Sequence, residues 1–203
     1  MSHAVLLEAR HVAKSFGRRR VLTDATLAVG PGELIGVTGE NGSGKTTLLK
    51  ILARLLRPDA GEFVCDGRLG YCPQAPLVFE RLSVTENFAF FAAAYGLEDW
   101  PAAMARWADR LRFEPSLGQL VGELSGGTRQ KLNLALALMH EPEVLLLDEP
   151  YAGFDWETYL GFWELAETLC REGRGVVVVS HFLYDRSRFD RICELVDGVL
   201  ACG

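Results

Sequence analysis

Residues 39 to 46 read Gly39-Glu40-Asn41-Gly42-Ser43-Gly44-Lys45-Thr46, between an apolar run, Leu34 to Val37, and a leucine-rich segment of helical spacing. Few folds accommodate such a stretch. Glycines at these intervals let successive backbone N–H groups turn into one concavity, and a helix starting there points its positive end at the same space. The spacing G-x-x-x-x-G-K-[ST] adds a lysine able to reach the β and γ phosphates of a nucleoside triphosphate, and a hydroxyl suited to Mg2+. Independent placement of these residue types would produce the pattern in on the order of 0.3% of chains. Asn41, Gly42, Ser43, Gly44, Lys45, Thr46 and Thr47 are therefore candidate nucleotide-binding residues, with Thr46 also a candidate metal ligand.

The flanking pattern indicates an α/β fold. Leu48, Leu49, Ile51, Leu52, Leu55 and Leu56 predict a helix over residues 46–56, stopped by Pro58. A short strand pair is expected over residues 62–71, with Asp66-Gly67 as its turn. The stretch from about Leu77 to His140 is helical in character, with Thr85 placed to cap one helix and Pro101 placed in a first helical turn. Val144 to Leu147 and Val176 to Val179 lack polar alternation, as strands of a parallel sheet covered on both faces do. A helix over 158–171 and a strand over 192–196 complete the expected elements.

At 203 residues, one domain with an inserted subdomain is the natural size class. The net charge of -6 disfavours an electrostatic grip on nucleic acid, and none is expected as a partner. The run Arg18-Arg19-Arg20 reads as a solvated turn. Five cysteines without a C-x-x-C pair indicate neither a disulfide framework nor a zinc site, and fit a reducing cytosol. No apolar run approaches the ~18 residues needed to cross a bilayer, and no leader pattern is present, so the chain is not expected to span a membrane by itself.

A second constellation follows the apolar run 144–147. Asp148-Glu149-Pro150 puts two carboxylates at the carboxyl end of a buried strand, where α/β sheets place their ligands. One suits a metal and the other can orient an attacking water. Upstream, Leu124-Ser125-Gly126-Gly127-Thr128-Arg129-Gln130 opens a helix, and Ser125 would serve equally as an ordinary N-cap. With the glycine-rich loop in the same order, the chain resembles the nucleotide-binding domain of ATP-binding cassette (ABC) proteins over nearly its whole length. Thr128 stands where many members carry glutamine, and Trp156 where proline is common.

The resemblance implies a P-loop core with a mixed or parallel sheet, an N-terminal antiparallel β subdomain and an inserted helical subdomain. The core and β subdomain would take about 1–76 and 141–203, and the helical subdomain about 77–140. It implies that Phe16 stacks on adenine, Gln74 senses metal and water, Asp148 binds Mg2+ and Glu149 is catalytic. His181 would contact the γ phosphate, while Ser125, Gly126, Gly127 and Asp155 act on nucleotide held by another protomer. Each has a plainer reading: core aromatic for Phe16, loop residue for Gln74, helix cap for Asp155, satisfied strand-end histidine for His181.

The implied function is ATP binding and hydrolysis in an ABC transporter. Two cassettes, identical or paired, would close on ATP and drive movement, export rather than import, through a separate transmembrane permease. The chain would then lie on the cytoplasmic face of the membrane. Phe79, Phe88, Phe90, Phe91 and Tyr95 are placed to line a docking groove for that permease, or to pack in a core. The alternatives are a soluble ABC ATPase without a membrane partner, or an ATP-gated module with little hydrolysis. Because aromatic stacking accepts any base, Phe16 should discriminate weakly, and ATP and GTP should bind within about tenfold of each other by calorimetry. Strong rejection of GTP would require hydrogen bonds to the base.

Overall fold

A computed structural model describes residues 5–113, 118–181, 183 and 185–202. Two long strands open the chain, β1 (Leu7–Phe16) and β2 (Arg19–Val29), joined at Gly17-Arg18 into an antiparallel hairpin. Next come β3 (Leu34–Thr38), the glycine-rich loop and α1 (Lys45–Leu52). β4 (Ala60–Cys65) and β5 (Leu69–Cys72) precede three helices, α2 (Val84–Tyr95), α3 (Trp100–Arg110) and α4 (Gly126–Leu138). The chain then alternates through β6 (Val144–Asp148), α5 (Trp156–Arg171), β7 (Gly175–Val179), β8 (Arg191–Val196) and β9 (Val199–Cys202). Among the described residues these nine strands form one mixed sheet in the order β4-β1-β2-β9-β8-β3-β7-β6-β5.

The α/β class expected from the apolar runs is what the chain adopts. β3, β7, β6 and β5 pair in parallel, and so do β3 and β8. Alternate side chains of the central strands enter two separate cores. Ile35, Val37, Val144, Leu146, Val177 and Val179 pack with Leu48, Leu49 and Leu52 of α1. Leu34, Leu145, Leu147, Val176 and Val178 pack with α4 and α5 on the opposite face. Each such aliphatic side chain contributes about 1.5–3 kcal/mol by leaving water. Both faces are covered, so the loops at the strand ends are where polar chemistry can sit.

Four local expectations are corrected. α1 ends at Leu52 rather than Leu56, because Arg54 turns left-handed (φ 59°) and Leu55 is exposed, well before Pro58. α2 is capped by Ser83 and not Thr85: Ser83 Oγ accepts from Glu86 N (3.2 Å), and the Glu86 carboxylate accepts from Ser83 N (2.7 Å). β4 and β5 do not pair with each other. β4 joins β1 antiparallel at one edge and β5 joins β6 in parallel at the other, since each finds a longer or more buried partner there. Finally, Cys193 and Cys202 are joined as a disulfide, because the Asp197-Gly198 turn between β8 and β9 sets them directly opposite each other. Their separation of nine residues escapes any C-x-x-C test.

Helices α2, α3 and α4 lie within residues 84–138, and the expected helical stretch 77–140 includes residues 114–117, which lie outside the described residues. Arg106 pairs with Glu141, Glu141 with Arg174, and Arg110 with Glu172 (2.8 Å), so α3 is tied to the segments that flank β6 and β7. Phe88 is fully buried and Phe91 packs partly against the core, whereas Phe79, Phe90 and Tyr95 are exposed. The aromatic stripe is therefore split by face, part of it turned to the core and part left exposed.

Asn87 holds this region to α2. Its fully buried amide accepts from Phe79 N (2.8 Å) and donates to Phe79 O (3.0 Å) and Ser83 O (3.0 Å). Asn87→Ala should cost about 1–3 kcal/mol in urea unfolding, because the Phe79 N–H loses its partner, while the Phe79 and Ser83 carbonyls keep the N–H groups of Leu82 and residue 87. A loss below about 1 kcal/mol would show that water replaces the amide without penalty.

Candidate active site

The glycine-rich loop is shaped by its neighbours. Gly39 (φ 151°) lies so close to β8 that a Cβ would stand 2.6 Å from Leu195 O, and at Gly44 (φ 111°) a Cβ would meet Val21 at 2.9 Å. Gly44 caps α1 without any side-chain acceptor, so the first-turn N–H groups of that helix have no competing capping oxygen. Lys45 folds back across the loop and donates to Gly39 O (2.7 Å) and Glu40 O (2.9 Å). Burial lowers its amine pKa, and the charges of Glu149 and Asp148 oppose that shift.

The carboxylates come from the end of β6. Asp148 pairs in register with Val179 of β7, so residues 149 and 180–181 leave the sheet side by side. Glu149 takes a left-handed backbone (φ 49°) and its N–H donates to Val179 O (2.9 Å). Its Oε1 accepts from His181 N (2.8 Å) and lies 2.9 Å from His181 Nδ1, and Ser180 Oγ donates to Oε2 at 3.4 Å. Asp148 is 2% exposed, and its Oδ2 has no hydrogen-bond partner among the described residues. Burial pushes its carboxyl pKa up, against the opposing effect of a hydrogen bond from Thr46. A hydroxyl beside a buried carboxylate oxygen with nothing to accept suits a hard divalent cation such as Mg2+. Among the described residues no cluster of three or more His, Cys, Asp or Glu is placed to hold a metal, so such a cation would complete its shell with phosphate oxygens and water.

One open cleft of about 600 Å3 gathers most of the residues picked out from the sequence. Phe16, Asn41, Gly42, Gly44, Lys45, Thr46 and Thr47 line it, and so do Gln74, Asp148, Glu149 and His181. Ser43 lines a neighbouring hollow instead. Two lining residues escaped the sequence reading, Arg19 and Val21. Arg19 is not part of a merely solvated turn: its Nη2 donates to Gly42 O (3.1 Å). The available signal was its place just after Phe16, across a two-residue turn.

The other predicted residues stand elsewhere. Ser125, Gly126, Gly127 and Asp155 do not line this cleft. Ser125 caps α4, accepting from Thr128 N (3.2 Å), and Asp155 caps α5, accepting from Thr158 N (2.8 Å). The two caps are neighbours, since a Cβ on Gly127 would lie 3.1 Å from Gly153 O.

Residues 22–152 match the family described as ABC transporter. The chain belongs to that family. The Nod factor export ATP-binding protein I of Burkholderia orbicola is 35% identical to it, over 95% of this chain and 68% of the relative. The protein of the same name from Rhizobium etli is 30% identical, over 92% of this chain and 64% of the relative. A solved ATP-binding subunit of an ABC transporter superposes with a TM-score of 0.88 at 28% identity, covering 98% of this chain and 89% of that one. A dimeric bacterial ABC transporter cassette shares the fold, with a TM-score of 0.86 at 24% identity over 96% of each chain. This ABC protein is accordingly an ATP-binding subunit and an ATPase.

The buried acid makes a test of the empty cassette. A carboxyl whose pKa is raised on folding favours the native state below its unfolded pKa, and that advantage is lost as pH rises through the folded value. At neutral pH the charged Asp148 therefore opposes folding of the nucleotide-free protein. Asp148→Asn should raise its melting temperature by a few degrees at pH 7, a gain that vanishes near pH 4. An unchanged or lowered melting temperature at pH 7 would show that the carboxylate is already compensated.

Proposed function

We propose that this chain is the energising subunit of an exporter and works as two cassettes closed on ATP, beneath a separate transmembrane permease. The observation that carries the reading is that the cleft's lining lacks Ser125, Gly127 and Asp155. The cleft holds the phosphate loop, both carboxylates, Gln74 and His181, while Ser125, Gly127 and Asp155 do not line it and stand at the N-terminal ends of α4 and α5. A second cassette turned head to tail would supply those tips to each cleft, and a two-fold axis would complete both sites at once. Nucleotide that bridges two protomers stabilises their association, and its hydrolysis weakens it.

Within the cleft the roles follow from the hydrogen bonds. Phe16 offers a half-exposed ring to the base. The Lys45 amine exchanges the carbonyls of Gly39 and Glu40 for the β and γ phosphate oxygens. Thr46, Asp148 and, from the cleft wall, Gln74 would hold Mg2+, which neutralises charge on the phosphates when bound. With Nδ1–H donating to the Glu149 carboxylate, His181 can donate from Nε2 to the γ phosphate only as the doubly protonated imidazolium. Glu149 orients the attacking water and accepts its proton, and the backbone N–H of His181 fixes the carboxylate for that task.

Export and the permease rest on the names of the relatives and on one surface. Phe79 and Phe90 meet edge to face with ring centroids 4.5 Å apart, and with Leu77 and Tyr95 they leave apolar area exposed beside the buried base of α2. Such a patch suits a helix of a membrane subunit, and attachment there would bring the protein to the membrane face. Among the described residues no helix is long and apolar enough to cross a membrane.

Glu149→Gln should lower ATP turnover by about 10^2 to 10^4 while ATP still binds, and should accumulate as an ATP-dependent dimer by light scattering. Adding Ser125→Ala should dissolve that dimer without changing ADP affinity. Monomers that fully enclose ATP, or a variant at Glu149 with normal turnover, would refute the shared site.

A further inference from the structure

We infer that Arg19 is a nucleotide-binding residue that holds the α and β phosphates, an assignment resting on the reading of the cleft as the nucleotide site. Phe16 and Arg19 are cross-strand partners at the end of the β1–β2 hairpin, separated only by Gly17 and Arg18. Directly opposed residues of an antiparallel pair project from the same face, so the aromatic ring and the guanidinium reach the cleft together. Both line it.

The contacts of Arg19 leave most of its donors unspent. Nη2 donates to Gly42 O at 3.1 Å, and among the described residues no carboxylate is paired with this side chain. The guanidinium is thus seated on Gly42 of the phosphate loop, and the side chain lines the cleft as well as the neighbouring hollow. Arginine can do this because its fork is rigid: one nitrogen keeps the carbonyl while the others take phosphate oxygens. A lysine ammonium has no second planar edge to offer.

Charge points the same way. Lys45 and Arg19 are the cations that line the cleft, and Asp148 and Glu149 are its carboxylates. Lys45 already lies in the field of both acids. Nucleotide phosphates bring several more negative charges, and among the described residues Arg19 is in no ion pair, although Glu40, Glu194 and Asp197 share the neighbouring hollow that it also lines. The terminal phosphate belongs with Lys45 and His181 and the base with Phe16, which leaves the inner phosphates to a residue bridging the hairpin and Gly42.

Calorimetry on the whole chain tests this with ADP and a non-hydrolysable ATP analogue at low and high salt. Arg19→Ala should weaken both ligands by the same factor, about five- to twentyfold. Its affinity should also depend less steeply on salt than that of the wild type, and the melting temperature without nucleotide should not move. Arg19→Lys should fall between the two. ADP affinity within about twofold of wild type, while Lys45→Ala abolishes binding, would overturn the assignment and leave the nucleotide site intact. Loss confined to the ATP analogue would transfer the contact to the terminal phosphate and equally refute it. An unaltered salt dependence would mean that Arg19 acts through the hairpin and not through charge. Should Lys45→Ala bind like the wild type, the cleft is not the nucleotide site and both readings fall.

Discussion

The register between β6 and β7 is the constraint on which the rest depends. Opposing Asp148 to Val179 makes Glu149 and His181 neighbours, and β3 on the other side of β7 delivers the glycine-rich loop to the same end of the sheet. A slip of one residue would turn the valines of β7 from one core to the other and point Asp148 away from Thr46. The two apolar cores thus do more than stabilise the chain. By locking the alternation of side chains across the sheet, they fix which polar groups meet at its carboxyl edge.

That edge concentrates charged groups in tightly held positions. Lys45 is bent onto two loop carbonyls, Asp148 is buried with one oxygen unpaired, and Glu149 is held by His181 in a left-handed turn. On the proposed reading each of these groups would find a further partner in a bound metal–triphosphate complex. The same economy appears at Ser125 and Asp155, whose side chains cap their own helices. A capping oxygen keeps further lone pairs, so an ordinary helix cap and a contact across a dimer are compatible uses of one residue.

Much of this was legible in the sequence because it depends on local spacing. The glycine-rich loop, the apolar run ending in Asp148-Glu149 and the Ser125 cap are each written in fewer than ten consecutive residues. Most of the misreadings arose where partners lie far apart in the chain. β4 and β5 look like a hairpin from their turn, yet β1 and β6 compete successfully for them. Thr85 has the right chemistry for a cap, but only Ser83 has Glu86 three residues on. The Cys193–Cys202 bond needed the β8–β9 register, and Arg19 needed the approach of the hairpin to Gly42.

The sequence by itself determined the reaction class, since the glycine-rich loop with its lysine and the adjacent Asp148-Glu149 pair are chemical identities that no packing can supply. Tertiary structure decided which of those groups share a cleft and which do not line it. The physical reason is that backbone turns and helix ends follow from neighbouring side chains, whereas the meeting of Phe16, Gly42, Asp148 and His181 follows from strand order and buried register. The separation of Ser125 and Asp155 from that cleft is likewise a property of the packed sheet and helices.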